Sequence, residues 1–299
     1  MQHSFERMTA AGNTFVVLNT WEDPLSLSRD EMRLLVRKAC DYKEGIGSDG
    51  LILINQSRSA PFRMDYYNPD GSTGMLCGNG SRCAVDAARS YGFVTTDRTE
   101  FEVLGAINRA EILPTGNVRV YFQDPSIVRL NLSLPLEDSI SIYAHYVDLG
   151  SQHIVVFSEA LRPFGKAEIE ALNIEHFGPL LRWHPDFAPV GANANFIDVR
   201  SDGDEKYLRI RTYERGVEGE TLACGTGCMS SAIVAKLTGR ISKLPVRLLT
   251  QSGEYVSVNF SIEGEHIRNL SLEGSVVHGE TGTFDFDEAT GAFAITRTE

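Results

Sequence analysis

Short apolar runs, each closed by Gly, Pro or Asn, recur along the chain and predict strands more often than helices. Leu51–Ile54 is continuously apolar, and Arg63–Tyr67 and Phe101–Val103 follow after turn residues. Asn117–Phe122 alternates polar and apolar positions, as a strand with one wet face does. The second half repeats the style in Ile154–Phe157, Phe196–Val199, Tyr207–Arg211, Val246–Leu249 and Tyr255–Phe260. Helical spacing is rarer. Ser28-x-x-Glu31 is a capping box, and Met32, Leu35 and Ala39 then predict a helix to about Cys40. The stretch Pro125–Pro135 reads as a loop and as the seam between two halves. Pro179–Arg182 reads as a short helical turn before a loop at Trp183-His184-Pro185, and Asp202–Lys206 as a solvated turn.

Composition narrows the class. With 299 residues, 42% hydrophobic and 23% charged, the chain can bury a core without disulfides or metals. Its 28 Lys+Arg stand against 40 Asp+Glu, a net charge of −12, which argues against nucleic acid or an anionic membrane as partner. No apolar run approaches membrane-spanning length, and the first residues lack a charged-then-apolar signal pattern, so a cytoplasmic protein is expected. There the five cysteines, 40, 77, 83, 224 and 228, are expected as reduced thiols. Cys40, Cys83 and Cys228 are expected to pack as small buried side chains.

The two halves share a pattern. Tyr67-Asn68-x-x-Gly71 precedes Cys77-Gly78-Asn79-Gly80 and an Ala-rich stretch; Tyr213-Glu214-x-Gly216 precedes Cys224-Gly225-Thr226-Gly227 and an Ala/Ser-rich one. Two such copies suggest duplication and two lobes facing each other. Each Cys-Gly-x-Gly opens a predicted helix, Ser81–Ser90 or Cys228–Lys236. The positive end of a helix dipole is expected to lower a thiol's pKa, and the glycine turn to offer N–H groups to a carboxylate. Two thiols on opposite faces of the carbon next to that carboxylate could invert it, one removing a proton and the other returning one.

At these residues the chain resembles the diaminopimelate epimerase family, which works without pyridoxal in lysine and peptidoglycan-precursor synthesis. The matching stretches are Ala11–Phe15, Gly45–Gly50, Asn68–Ser72, Cys77–Cys83, Gly150–His153, Asn193–Phe196, Tyr213–Gly216 and Ala223–Gly227, in family order over nearly the whole chain. The resemblance implies an α+β fold of two pseudo-symmetric lobes, each a β-barrel-like sheet around a central helix. It implies an N-terminal lobe of 1–128 completed by a strand around 274–288, a C-terminal lobe of 129–273, and an active site in the cleft between them. By matching position Cys77 and Cys224 would be the catalytic pair, with His153 and Glu214 tuning their pKa values. Gly78, Asn79, Gly225 and Thr226 would hold the reacting carboxylate. Asn13, Asn68, Asn193, Arg215 and the Glu214 backbone would bind the distal amino-acid end. The resemblance implies epimerisation of LL-2,6-diaminopimelate to the meso isomer, with no cofactor and no metal; it leaves a homodimer open. Ser151 stands where the family usually has Asn, the segment from Glu214 to Cys224 carries one extra residue, and the tail after Asp285 runs past the usual family end.

Other readings compete with this one. Gly45-x-Gly47-x-x-Gly50 matches a dinucleotide fingerprint, but a helix precedes it and a strand follows, the reverse of the required order. The spacings of Cys77/Cys83 and Cys224/Cys228 are not those of a zinc ribbon. Racemases of proline or histidine would share the thiols and alter the distal-end residues. A thiol redox or metal-binding protein is the reading from a different class.

Overall fold

The capping box forms. In α1 (Arg29–Cys40) the Glu31 N–H donates to the Ser28 hydroxyl at 3.4 Å and the Ser28 N–H donates to the Glu31 carboxylate at 2.7 Å. Met32, Leu35, Val36 and Ala39 on its inner face are buried. The computed structural model describes residues 2–297 other than 75, 138–139 and 166–167. It divides into two compact units, Met1–Tyr121 with Glu273–Glu299, and Phe122–Leu272.

The first unit begins with β1 (Gln2–Ala10), β2 (Asn13–Asn19), β3 (Leu51–Asn55) and β4 (Arg63–Tyr67). Helix α2 (Gly78–Ser90) leads to β5 (Arg98–Val103), β6 (Ala106–Ile112) and β7 (Val118–Tyr121). The second unit holds β8 (Ile127–Pro135), β9 (Ser141–Asp148), β10 (Gln152–Phe157), α3 (Ile174–Arg182), β11 (Asn193–Asp202), β12 (Glu205–Glu214) and β13 (Gly219–Thr221). It continues through α4 (Gly225–Leu237), β14 (Val246–Leu249), β15 (Tyr255–Glu263) and β16 (His266–Gly274). The chain then returns to the first unit as β17 (Val277–Phe286) and β18 (Phe293–Arg297).

Pairing repeats between the units. In the first, β2 runs parallel to β3, β3 antiparallel to β4, and β4 parallel to β5. In the second, β10, β11, β12 and β14 take the same parallel, antiparallel, parallel order. Parallel neighbours need a crossover, which α1 and α2 supply in one unit and α3 and α4 in the other. The duplication visible in two Cys-Gly-x-Gly turns therefore extends to the strand order. Strand β17 closes on β1 and carries β18 on its other edge. Phe293 and Ile295 of β18 pack onto the core formed by α1, β2, β3 and β17, so the long tail is a working part of that unit.

Each unit wraps its sheet around one central helix. Helix α2 packs against β1, β2, β3, β4 and β7; α4 packs against β9, β10, β11, β12, β14 and β15. Every residue from Gly227 to Ala235 is buried, which only small and apolar side chains allow. The sheet comes as close at Gly80, where an added Cβ would sit 3.4 Å from Ile52, Met64 and Phe15.

Two local expectations need correction. The stretch read as a loop at 125–135 is strand β8, in which Val128, Leu130, Leu132 and Leu134 alternate inward of more exposed neighbours. A bulge between Arg129 and Leu132, with Asn131 at φ +56, breaks its regularity. The helical turn read at Pro179–Arg182 is the end of α3, which starts five residues earlier. There the Asn173 side chain accepts from the His176 N–H at 3.2 Å and caps the helix.

Candidate active site

A two-residue turn sets the first site residue. Ala11 and Gly12 both adopt positive φ, +50° and +83°, between the paired residues Ala10 and Asn13. That is a tight hairpin, and it fixes Asn13 at the start of β2. Cys77 is the N-cap of α2, its Sγ accepting from the Gly80 N–H at 3.5 Å. Asn79, in the first turn, donates to the Asn13 Oδ1 at 2.7 Å and accepts from Arg82 at 3.1 Å. Asn13 in turn donates to Asp49 at 3.4 Å, whose carboxylate also takes the Thr14 N–H at 2.9 Å and the Tyr42 hydroxyl at 2.9 Å. So Asn13, Cys77, Gly78 and Asn79 come together at one helix start. Asn68 stands in its own turn, donating to Ser72 at 2.9 Å.

The second unit gathers the remaining residues more tightly. Strands β10 and β11 place His153 beside Asn193, and β12 ends at Glu214 so that Arg215 follows at once. Asn193 accepts the Arg215 N–H at 2.8 Å and donates to Ser151 Oγ at 3.1 Å and the Gln152 carbonyl at 2.9 Å. Ser151 thus keeps a polar contact despite its shorter side chain. The Arg215 guanidinium donates to Gln152 Oε1 at 2.7 Å. Cys224 is the N-cap of α4, with Gly225 and Thr226 as its first helical residues. Its sulfur lies 3.5 Å from the Thr226 hydroxyl.

Burial decides the electrostatics here. The helix N-terminus was expected to lower the thiol pKa, yet Cys224 is pushed well above its usual value by desolvation and by the Glu214 carboxyl. Contacts to Thr226 and the Gly227 N–H oppose this without reversing it. Glu214 is itself raised by burial, although it accepts from Thr221 at 2.9 Å. His153, fully buried, falls to about 3 through desolvation and the nearby Arg215 charge. Cys83 and Cys40 are buried and raised by desolvation, Cys40 to about 11. Cys228 is buried as well. Among the described residues no group of three or more His, Cys, Asp or Glu is arranged to hold a metal. No helix among them is long and apolar enough to cross a membrane.

Four supporting residues lie in the matching stretches but have no role assigned from sequence: Asp49, Arg82, Gln152 and Asn195. Each is polar and holds a site residue, Asp49 on Asn13, Arg82 on Asn79, Gln152 on Arg215 and Asn195 on His153 at 3.1 Å. A signal existed for Asn195. It lies two residues after Asn193, so both amides project from the same face of a strand whose first five residues are otherwise apolar.

Residues 5–128 match the family model described as diaminopimelate epimerase. Over 280 residues the chain is 37% identical to the diaminopimelate epimerase of Aquifex aeolicus, spanning 91% of this chain and 94% of that protein. The diaminopimelate epimerase of Chlorobaculum tepidum is 35% identical over 268 residues, 89% of this chain and 95% of that one. Among solved structures the fold is similar to a PhzF-family phenazine biosynthesis protein from Bacillus anthracis, with TM-score 0.69, 15% identity, and 95% and 99% of the two chains covered. It is also similar to a hydroxyproline epimerase from Agrobacterium vitis, with TM-score 0.65, 16% identity, and 94% and 92% covered. Those two likenesses concern the fold alone. Identity and coverage against the first two relatives go further: the chain belongs to the diaminopimelate epimerase family, a family of amino-acid epimerases, isomerases that act on a small-molecule substrate.

Proposed function

We propose that this chain converts LL-2,6-diaminopimelate to the meso isomer by a two-thiol proton transfer at one α-carbon, without pyridoxal. One observation carries the reading. Each unit presents a cysteine as the N-cap of its central helix, at the same point in the same strand order. A thiolate on one face takes the α-proton, and the electron pair of the C–H bond passes into the carboxylate-conjugated system. The thiol on the other face delivers its proton to the same carbon. Nothing is oxidised, and the two cysteines exchange protonation states.

In this reading the carboxylate lies against Gly78, Asn79, Gly225 and Thr226, whose helix-start N–H groups stabilise the developing charge. Burial and the Glu214 carboxyl raise the Cys224 thiol well above its usual pKa, which favours it as the protonated member of the pair before LL substrate reacts. The reverse direction swaps these states. Asn13, Asn68, Asn193, Arg215 and the Glu214 backbone take the distal amino-acid end. Such an enzyme would serve lysine and peptidoglycan-precursor synthesis in the cytoplasm, with its thiols reduced.

The substrate assignment is tested by kcat/KM for diaminopimelate, lysine, histidine and proline, measured side by side under reductant. Diaminopimelate should lead, because ligands lacking a second carboxylate leave the distal polar groups unpaired. Equal turnover of proline or histidine would refute the substrate while sparing the thiol chemistry.

A further inference from the structure

Asn195 is fully buried in β11, and three contacts fix which way its amide faces. The Nδ2 group donates to the Ile154 carbonyl at 2.9 Å, an acceptor and nothing else. The Oδ1 accepts from the Thr212 hydroxyl at 3.0 Å. The second Nδ2 hydrogen is therefore the one that meets His153 Nδ1, at 3.1 Å. An amide nitrogen can only donate, so Nδ1 must offer its lone pair. In a neutral imidazole the proton then sits on Nε2. That Nε2 is buried and has no hydrogen-bond partner among the described residues.

Asn195 also touches the start of the catalytic helix. A Cβ added to Gly227, in the first turn of α4, would fall 2.3 Å from Asn195 Oδ1. One side chain thus orients the imidazole and lies against the turn that carries Cys224. We infer that Asn195 is a positioning residue for the proposed reaction: it holds His153 as a neutral Nε2–H donor, so that His153 gives the site a fixed hydrogen bond and does not relay the substrate's proton. The inference rests on the two-thiol reading for its role in catalysis, but its structural content does not. A neutral donor stabilises negative charge on a carboxylate or a thiolate. An imidazole free to titrate would instead compete with the thiols for the proton in transit. The low pKa of His153 agrees with this geometry.

The direct test is nitrogen NMR of the full-length, reduced protein labelled with 15N-histidine, without substrate. The His153 signals are assigned by their loss in His153→Gln. Nδ1 should appear unprotonated and Nε2 protonated, with no change through neutral pH. A proton on Nδ1, or an imidazolium at neutral pH, would overturn the inference. In Asn195→Asp the carboxylate can only accept, so the His153 proton should move to Nδ1; an unmoved tautomer there also counts against the inference. Activity supplies the functional arm. Glutamine can place an N–H near the Nε2 position and phenylalanine cannot, so His153→Gln should keep at least about tenfold more kcat than His153→Phe. Equal loss in both would overturn the hydrogen-bond-donor role assigned to His153. A protein with the expected tautomer that fails to epimerise diaminopimelate refutes the substrate assignment and leaves the tautomer standing.

Discussion

Arg215 offers the plainest single-residue test of substrate recognition, because its backbone and side chain do separate work. The backbone N–H is held by Asn193, while among the described residues the guanidinium donates to Gln152 alone and keeps donors to spare. Arg215→Met preserves the stem and the backbone bond but removes the charged fork. A charge-assisted contact to a carboxylate is worth about 2–4 kcal/mol, so kcat/KM for diaminopimelate should fall roughly 30- to 1,000-fold. A loss under about threefold would place the distal carboxylate elsewhere. The buried histidines give a second residue-scale prediction, about stability. His153 falls from 6.5 to about 3, and His145, buried against Phe157, falls from 6.5 to about 4. Both are neutral in the native state, so their contribution is fully present above pH 6.5, the usual value, and is lost as pH falls toward 4 and 3. The urea midpoint should drop between about pH 7 and about pH 5, and less steeply in His145→Gln. An unchanged slope would mean that folding leaves the pKa of His145 where it is in the unfolded chain.

Helix α4 shows at the scale of an element why its first turn is built from small residues. Gly227→Ala would force a methyl group to within 2.3 Å of Asn195 Oδ1 and 3.3 Å of the Cys224 Cβ. The Asn195 amide is held by its bonds to Ile154, Thr212 and His153, so the helix start must shift, and kcat should fall more than about tenfold. Stability should drop by about 1–3 kcal/mol, the usual cost of overpacking. Wild-type turnover in this variant would show that the seating of Cys224 tolerates movement. The legibility of elements follows the same local logic. Helix α1, with its capping box, and β3, β4 and β14, with their compact runs, carry their signals within a few residues. Strands β1 and β17 do not. Their faces are largely polar, and each is stabilised by pairing with a partner more than 250 positions away, as in Gln2 opposite Asp285. Strand β8 hid behind its bulge at Asn131. At the candidate site, motif context marks both thiols, both helix starts and Arg215. The holding residues Asp49, Arg82, Gln152 and Asn195 sit in the same motifs without a legible role, since each acts through a contact that only the fold creates. The thiol electrostatics were misread for the same reason. A dipole is visible in sequence, whereas the burial that outweighs it at Cys224 is not.

At the scale of the whole molecule, one structural idea is used twice: a sheet in repeated strand order around a buried helix whose cap is a cysteine. Duplication explains why an inverting enzyme would have two similar halves, since a stereocentre has two faces and each needs a proton carrier. The net charge of −12 fits a small zwitterionic substrate handled by local donors and one arginine, with no need for a basic surface. The most direct measurement of the central claim is isotopic. Pure protein is incubated with LL-diaminopimelate in heavy water under reductant, without pyridoxal, beside Cys77→Ala and Cys224→Ala. The account predicts meso product labelled with deuterium at a single α-carbon from the native chain, and turnover reduced by at least about 10⁴-fold in both variants. Meso product free of deuterium, or near-native turnover in either alanine variant, would contradict it.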